Sequence, residues 1–159
     1  MKDFVQAGEL RVGRQVGRLS VLGLGSCVAV VLYDAEARVG GLAHVLLPEP
    51  VAPVTAESRG RFASTAVPEL LDELEAVGAK RERLQARLVG GASMFEELMG
   101  KGRPQIGERN VVAARRALRQ SGVRIASEDV GGGRGRSIEL DLADGRVRVW
   151  SNGYDDVEL

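Results

Sequence analysis

The chain has 159 residues, of which 22 are basic and 22 acidic, so its formal net charge is about zero. Apolar residues make up 44% and aromatic residues 4%, which fits one compact globular domain over residues 1–159. The balanced charge argues against nucleic-acid and membrane-surface proteins, since both usually need a basic excess. One cysteine and one histidine exclude an internal disulfide and the usual zinc ligand sets.

The N-terminus, MKDFVQ, has no apolar run typical of a signal peptide. No stretch of the chain approaches the roughly 18 apolar residues that would cross a bilayer. We therefore expect a cytoplasmic protein with no membrane insertion. The balanced charge and the single domain favour a monomer that meets its partners transiently.

The first half of the chain predicts strands. Residues 9–22 read as two short strands around a glycine-containing turn. Two apolar runs follow, at residues 28–33 and 40–47, with a polar hairpin loop between them. Both runs are apolar at nearly every position, so we expect a central pair with both faces covered.

A proline-rich loop and a helix come next. Residues 48–60 contain three prolines and predict an irregular, mobile loop. An apolar stripe with helical spacing then runs from Val67 to Val77. Thr65 is the predicted N-cap, Pro68 falls in the first turn, and Gly78 marks the end of the helix.

The second half predicts strands around one further long helix. Helices are expected at residues 93–99 and 108–120, and strands at residues 84–89, 123–130, 137–142 and 147–151. Asp144–Gly145 predicts a tight hairpin between the last two strands. The order of elements indicates a mixed α/β (α+β) domain of sheets covered by helices.

Hairpin geometry brings the only thiol close to the only imidazole. If residues 34–37 form the loop between the two apolar runs, Cys27 lies directly opposite His44. Their Cβ atoms would then be about 4.5–5.5 Å apart on one face. A register shift of one residue would separate them onto opposite faces.

A thiol beside an imidazole is the minimum equipment of a cysteine hydrolase. Gly23 and Gly25 let the chain turn sharply before Cys27, and backbone N–H groups at Ser26 and Cys27 could hold an oxyanion. The alternative is that Cys27 and His44 are ordinary core residues, which is common for a lone cysteine in an apolar strand.

Other motifs favour structural roles. Residues 131–136 resemble a phosphate loop but lack the Gly-Lys-Ser/Thr pattern and a following helix, so a flexible turn is favoured. Residues 90–92 predict a close-packing turn, and residues 108–110 predict a helix start. Asp155 and Asp156 read as a solvated tail, and Glu128 and Asp129 read as a strand-end pair.

Several blocks together resemble the chemoreceptor glutamine deamidase family, CheD. They are LGLGSCV at residues 22–28, GGLAHVLLP at 40–48, RFASTAVP at 61–68, GGASMF at 90–95, IGERN at 106–110, and EDVGG at 128–132 with Gly135-Arg136. The blocks occur in order over nearly the whole chain. The resemblance implies that Cys27 and His44 are the catalytic pair, in a three-layer sandwich related to bacterial deamidase toxins.

The resemblance also implies an activity and partners. Members hydrolyse the side-chain amide of particular glutamines on methyl-accepting chemoreceptors, and some also act on glutamyl methyl esters. No cofactor or metal is needed. In some bacteria, members bind the phosphatase CheC and raise its activity towards the phosphorylated response regulator.

One position departs from the family pattern. Where the family has a threonine as third catalytic group, this chain has Val21, which has no hydroxyl to hydrogen-bond the imidazole. Ser20 should point to the other face of a strand, so a backbone carbonyl or a water would have to orient His44. An adaptor that has lost most catalysis but still binds CheC or receptors is the alternative function.

Overall fold

The computed structural model describes residues 2–93 and 105–159, and within them it contains ten β-strands, two α-helices and two short 3₁₀ helices. The short helix predicted at residues 93–99 lies outside the described residues except for Ser93. The strands are β1 (Lys2–Phe4), β2 (Leu10–Arg14), β3 (Arg18–Leu24), β4 (Val28–Asp34), β5 (Val39–Val45), β6 (Gln85–Gly90), β7 (Arg124–Val130), β8 (Arg136–Asp141), β9 (Val147–Trp150) and β10 (Val157–Glu158). The α-helices are α1 (Ala63–Ala76) and α2 (Ile106–Gln120), and the 3₁₀ helices span Ala56–Arg61 and Arg81–Arg83.

Strands β4 and β5 form an antiparallel pair inside a five-stranded sheet ordered β2-β5-β4-β6-β7. Every residue of both strands is buried. A nearly continuous apolar run suits a strand with both faces covered, because few of its positions need to meet water. The prediction of a central pair is therefore confirmed.

A second five-stranded sheet has the order β1-β3-β8-β9-β10. Its neighbouring strands are antiparallel except for β1 and β3, which are parallel. The first sheet is also mixed, since β6 and β7 run parallel. Strands β2 and β3 lie in different sheets, although only a short turn joins them, so the chain crosses between layers there.

The two sheets and the helices form three layers. In β4, Val28, Val30 and Leu32 belong to the apolar core shared with α1 and α2. Ala29 and Val31 belong to the core between the two sheets. Successive residues of a strand point to opposite faces, so this one strand supplies both cores. The predicted sandwich of mixed sheets covered by helices is confirmed, with both helices against the sheet that contains β4.

Helix α1 begins earlier than predicted. Its N-cap position is Phe62 rather than Thr65, so Pro68 lies in the second turn and not in the first. The Thr65 hydroxyl donates to the carbonyl oxygen of Arg59 at 2.5 Å, so it binds the preceding 3₁₀ helix and does not cap α1. The apolar stripe does face the core, and Gly78 follows the helix with φ of +112°.

The second half of the chain follows its predicted order. Helix α2 starts at Ile106 rather than at residue 108. The turn at Asp144–Gly145 joins β8 to β9, with Gly145 at φ of +78°. Strands β1 and β10 have three and two residues, too few for a periodic pattern to predict them.

A buried carboxylate fixes the tight end of the β4–β5 hairpin. Asp34 is fully buried and accepts hydrogen bonds from the backbone N–H groups of Glu36, Ala37 and Lys80. The Arg83 guanidinium pairs with the same carboxylate at 2.9 Å. Burial alone would raise the pKa of Asp34, but these donors outweigh it and hold the pKa below its ordinary value. The hairpin is thus tied to the connection between α1 and β6.

Candidate active site

The turn that carries Cys27 is held through its carbonyl groups. It covers residues 25–27, between β3 and β4. Three consecutive carbonyl oxygens accept hydrogen bonds of 2.8–2.9 Å. The donors are the backbone N–H of Ala92 to Gly25, the side-chain amide of Asn110 to Ser26, and the backbone N–H of Gly91 to Cys27. In a trans peptide the N–H points away from the C=O, so the N–H groups of Ser26 and Cys27 face away from these donors.

Gly90 lets β6 approach this turn closely. Its φ is +111°, a conformation that residues with side chains rarely adopt. A Cβ atom at this position would lie 2.3 Å from the carbonyl oxygen of Cys27, far inside contact distance. The predicted close-packing turn at residues 90–92 is confirmed, and it packs against the turn that carries the thiol.

The predicted register of the β4–β5 hairpin is wrong by two positions. Ala29, rather than Cys27, lies directly opposite His44. Asp34 already pairs with Val39, so the loop covers residues 35–38 and not 34–37. The polar character of Asp34 favours a loop, but the residue is buried at the end of the strand and its carboxylate closes the turn.

Cys27 and His44 nevertheless share a face, because a shift of two residues keeps side chains on the same side of a sheet. Cys27 packs against the core between the two sheets, to which Ala29 also belongs. If the register of β4 is extended by one residue, Cys27 becomes the diagonal neighbour of His44, and the Cα atoms of such neighbours lie about 7–8 Å apart. Among the described residues no hydrogen bond links the thiol to the imidazole.

The N-terminal segment holds His44 at three points. The backbone N–H of His44 donates to the carbonyl of Glu9, and its carbonyl accepts from the N–H of Gly8, each at 2.9 Å. The ring atom Nδ1 lies 3.1 Å from the carbonyl oxygen of Val5. A carbonyl can only accept, so Nδ1 carries the hydrogen and Nε2 is the basic nitrogen of the neutral ring.

Burial favours the uncharged forms of both groups. It raises the pKa of the Cys27 thiol, and the residue's own backbone N–H partly offsets this effect. It lowers the pKa of the His44 imidazole, against the opposing effects of the Val5 carbonyl and the Glu9 carboxylate. The resting site therefore holds a thiol and a neutral imidazole, not an ion pair.

Val21 takes no polar part in the site. It is 1% exposed and belongs to the core between the sheets. Ser20 points to the other face, as predicted, and its hydroxyl donates to Glu139 at 3.3 Å. The group that contacts Nδ1 of His44 is the Val5 carbonyl, one of the two options left open by the sequence. A backbone carbonyl has no residue-type signature, so Val5 could not be identified from the sequence.

Asn110 is a second residue near the site that sequence reasoning missed. Its position favours a helix start, but the residue is fully buried inside α2. Its Nδ2 donates to the carbonyls of Ser26 and Leu46 at 2.9 Å each. The sequence did contain a signal for it: Asn110 stands four residues before Ala114, so it lies on the apolar stripe of the helix, where a polar residue is unusual.

The remaining motifs have structural partners. Arg136 is buried and binds Asp129 and the carbonyls of the glycine-rich turn at residues 131–134. Glu128 pairs with Arg115 at 2.8 Å. Asp155 and Asp156 are exposed, as predicted for a solvated tail.

Within residues 2–93 and 105–159, no group of three or more His, Cys, Asp or Glu side chains is placed to hold a metal ion. No described helix is both long enough and apolar enough to cross a bilayer.

Comparison with known proteins gives a consistent family. Residues 46–151 match the family model described as CheD chemotactic sensory transduction. The chain is 44% identical over 149 residues to the chemoreceptor glutamine deamidase CheD of Thermotoga maritima, covering 94% of this chain and 91% of that protein. It is 50% identical over 152 residues to the probable chemoreceptor glutamine deamidase CheD 2 of Geobacter metallireducens, covering 94% of each. The chain belongs to the CheD family of chemoreceptor glutamine deamidases.

Proposed function

We propose that this chain hydrolyses side-chain amides of glutamines on methyl-accepting chemoreceptors, giving glutamate and ammonia, with Cys27 as nucleophile and His44 as acid–base. One observation carries the assignment to these residues. Cys27, just before β4, packs against the core between the sheets, and the neighbouring strand β5 carries His44, whose Nδ1 bond to the Val5 carbonyl leaves Nε2 as its base. The names of the relatives supply the substrate class.

In the first half of the reaction, Sγ of Cys27 attacks the carboxamide carbon of the glutamine. The thiol proton passes to Nε2 of His44 as the carbon–sulfur bond forms, and the carbonyl oxygen becomes an oxyanion. The intermediate then collapses, the carbon–nitrogen bond breaks, and His44 returns the proton to the leaving nitrogen. Ammonia departs and a thioester on Cys27 remains.

In the second half, water attacks the thioester. Nε2 of His44 takes one proton from the water, and the new oxyanion forms at the same place as the first. Collapse breaks the carbon–sulfur bond, releases glutamate and returns a proton to the sulfur of Cys27. Each proton that His44 takes is given back, so the enzyme is regenerated.

We assign the oxyanion contacts to the turn at residues 25–27. Its carbonyls are all engaged in hydrogen bonds, and the N–H groups of Ser26 and Cys27 each point away from the carbonyl of their own peptide unit. Fixed N–H donors stabilise the developing charge without having to reorient during the reaction.

The Val5 carbonyl takes the role that a hydroxyl at position 21 would have. It accepts from Nδ1 of His44, and this selects the tautomer that a general base at Nε2 requires. When His44 becomes protonated, both nitrogens donate, and the Val5 carbonyl then stabilises the imidazolium. Val21 is therefore compatible with catalysis.

The experiment that tests the assignment compares the wild type with Cys27→Ala and His44→Ala on a chemoreceptor substrate. Conversion of an amide to a carboxyl raises the mass of a receptor peptide, so mass spectrometry reads the reaction directly. We expect deamidation by the wild type and none above background by Cys27→Ala. Unchanged deamidation by Cys27→Ala would refute the assignment.

The valine at position 21 favours a second candidate, an adaptor of the same family that binds receptors or CheC and has little activity. The Val21→Thr variant separates the two candidates. Similar turnover by wild type and variant supports the enzyme. No turnover by the wild type together with a gain by Val21→Thr supports the adaptor.

The setting of this activity is part of the proposal. We place the chain in the cytoplasm, as one domain over residues 1–159, acting as a monomer without a cofactor. Sedimentation analysis at several concentrations tests the monomer, and a pull-down with purified CheC tests that partner.

A further inference from the structure

A buried amide links the two halves of the proposed catalytic pair. Asn110 is fully buried in α2, and its Nδ2 makes two hydrogen bonds of 2.9 Å. One accepting carbonyl belongs to Ser26, immediately before Cys27. The other belongs to Leu46, two residues after His44. The Asn110 side chain thus uses both of its N–H groups to join the turn that carries Cys27 to the end of β5, the strand that carries His44.

The bond to Ser26 also sets the direction of an N–H group. The carbonyl of Ser26 and the N–H of Cys27 belong to one planar peptide unit and point in opposite directions. When Asn110 holds the carbonyl towards α2, the N–H of Cys27 is turned to the opposite side. That N–H is one of the two proposed oxyanion donors.

The oxygen of the same amide carries no compensating bond. Oδ1 of Asn110 is buried and has no hydrogen-bond partner among the residues the structure describes. A buried acceptor without a partner costs free energy, which the two hydrogen bonds donated by Nδ2 have to offset. Its two N–H groups are the part of the side chain that is used.

The start of helix α2 packs closely against the turn after β6. A Cβ atom at Gly107 would lie 2.5 Å from the carbonyl oxygen of Ala92 and 2.6 Å from that of Gly91. The backbone N–H groups of these same residues hold the carbonyls of Gly25 and Cys27. The start of α2, the turn after β6 and the turn of the thiol therefore form one packed unit.

We infer that Asn110 is a positioning residue that holds the Cys27 turn in register with the His44 strand and aims the N–H of Cys27 at the oxyanion. This inference rests on the proposed function of Cys27 and His44. Asn110 itself does not touch the reacting atoms.

Two substitutions test the inference against a matched control. Asn110→Asp keeps the shape but has at most one donor, and Asn110→Ala has none. The control is Asp34→Asn, which weakens a buried hydrogen-bond network at the other end of the same hairpin. Thermal melts give the stability of each variant, and steady-state kinetics on a chemoreceptor substrate give kcat and KM per folded molecule.

We expect both Asn110 variants to lose about 10- to 100-fold in kcat, with KM within about twofold, because small misplacements of reacting groups cost rate and not binding. Asp34→Asn should lower the melting temperature and keep kcat within about twofold of the wild type. Asn110 variants that melt lower but keep the wild-type kcat would overturn the inference. Wild-type activity that survives Cys27→Ala would instead refute the proposed function.

A measurement on the wild type keeps the inference falsifiable if neither Asn110 variant folds. Nuclear magnetic resonance follows the side-chain amide of Asn110 before and after alkylation of Cys27. Slow hydrogen exchange, with a shift of this amide on alkylation, supports the inference. Exchange as fast as that of an exposed amide, or no response to alkylation, overturns it.

Discussion

Removing residues 1–6 deletes the Val5 carbonyl that orients His44 and leaves the other hydrogen bonds of this histidine in place. The N–H of Gly8 and the carbonyl of Glu9 still bind the backbone of His44. The ring nitrogen Nδ1 loses its acceptor at 3.1 Å. The neutral ring is then free to adopt either tautomer and to rotate.

The deletion should weaken the fold modestly and the activity strongly. Val5 is 2% exposed, and losing the burial of such a side chain costs about 1.5–3 kcal/mol, in addition to the pairing of the short strand β1 with β3, which the control deletion also disturbs. Its N–H donates to the carbonyl of Ser20 at 2.8 Å, a hydrogen bond worth about 0.5–1.5 kcal/mol. The domain should remain folded, since domains of this kind are stable by about 5–15 kcal/mol. Loss of an oriented base should lower kcat by about 10²- to 10⁴-fold.

The assay measures deamidation of a chemoreceptor substrate at saturation, with urea denaturation of the same samples. Removing only residues 1–3 is the control, because it disturbs β1 and keeps Val5. We expect near wild-type kcat in the control and a large loss in the longer deletion. A longer deletion that is folded and turns over at the wild-type rate would refute the role given to the Val5 carbonyl.

Three further predictions concern pH, a close approach and a buried carboxylate. Because burial lowers the pKa of His44 below 6.5, kcat/KM should fall as the pH drops through that lowered pKa. Stability should decline over the same pH range, because the unfolded chain binds the proton more readily than the folded chain. A pH–rate profile without this fall on the acidic side would contradict a neutral His44 base. Gly90→Ala should lower the unfolding free energy by about 1–3 kcal/mol and also lower kcat, because the added Cβ collides with the carbonyl of Cys27. Gly78→Ala is the control: its added Cβ meets nothing within 4 Å, so it should lower stability only. Asp34→Ala should lower the unfolding free energy by about 2–4 kcal/mol in urea titrations without changing kcat per folded molecule, and an unchanged transition midpoint would contradict the anchoring role.

The central strands could be predicted because their residue types alone indicate burial on both faces. Strands β4 and β5 are apolar along nearly their whole length, and a strand of that kind is buried on both faces. Their register could not be predicted in the same way. Asp34 is a typical loop residue by composition, but hydrogen bonds from Lys80 and Arg83, far away in sequence, hold it at the end of β4.

The candidate site likewise contains residues that their type reveals in the sequence and contacts that only the tertiary structure sets. Cys27 and His44 are the only residues of their types, so a search for reactive side chains finds them at once. The contribution of Val5 is a carbonyl that any residue could supply, and only the path of the N-terminal segment past His44 brings it there. Asn110 was visible as a polar residue on an apolar stripe, but its partners at Ser26 and Leu46 are set by the tertiary structure.

The most direct measurement of the central claim is covalent labelling of the nucleophile by a receptor segment in which the target glutamine carries an electrophilic carbonyl analogue. Peptide mass mapping then locates the new bond. We predict one adduct per chain, on Cys27, formed in step with loss of deamidation and slowed by unmodified receptor substrate. An adduct on another residue, or full deamidation by a protein whose Cys27 is completely modified, would contradict the account.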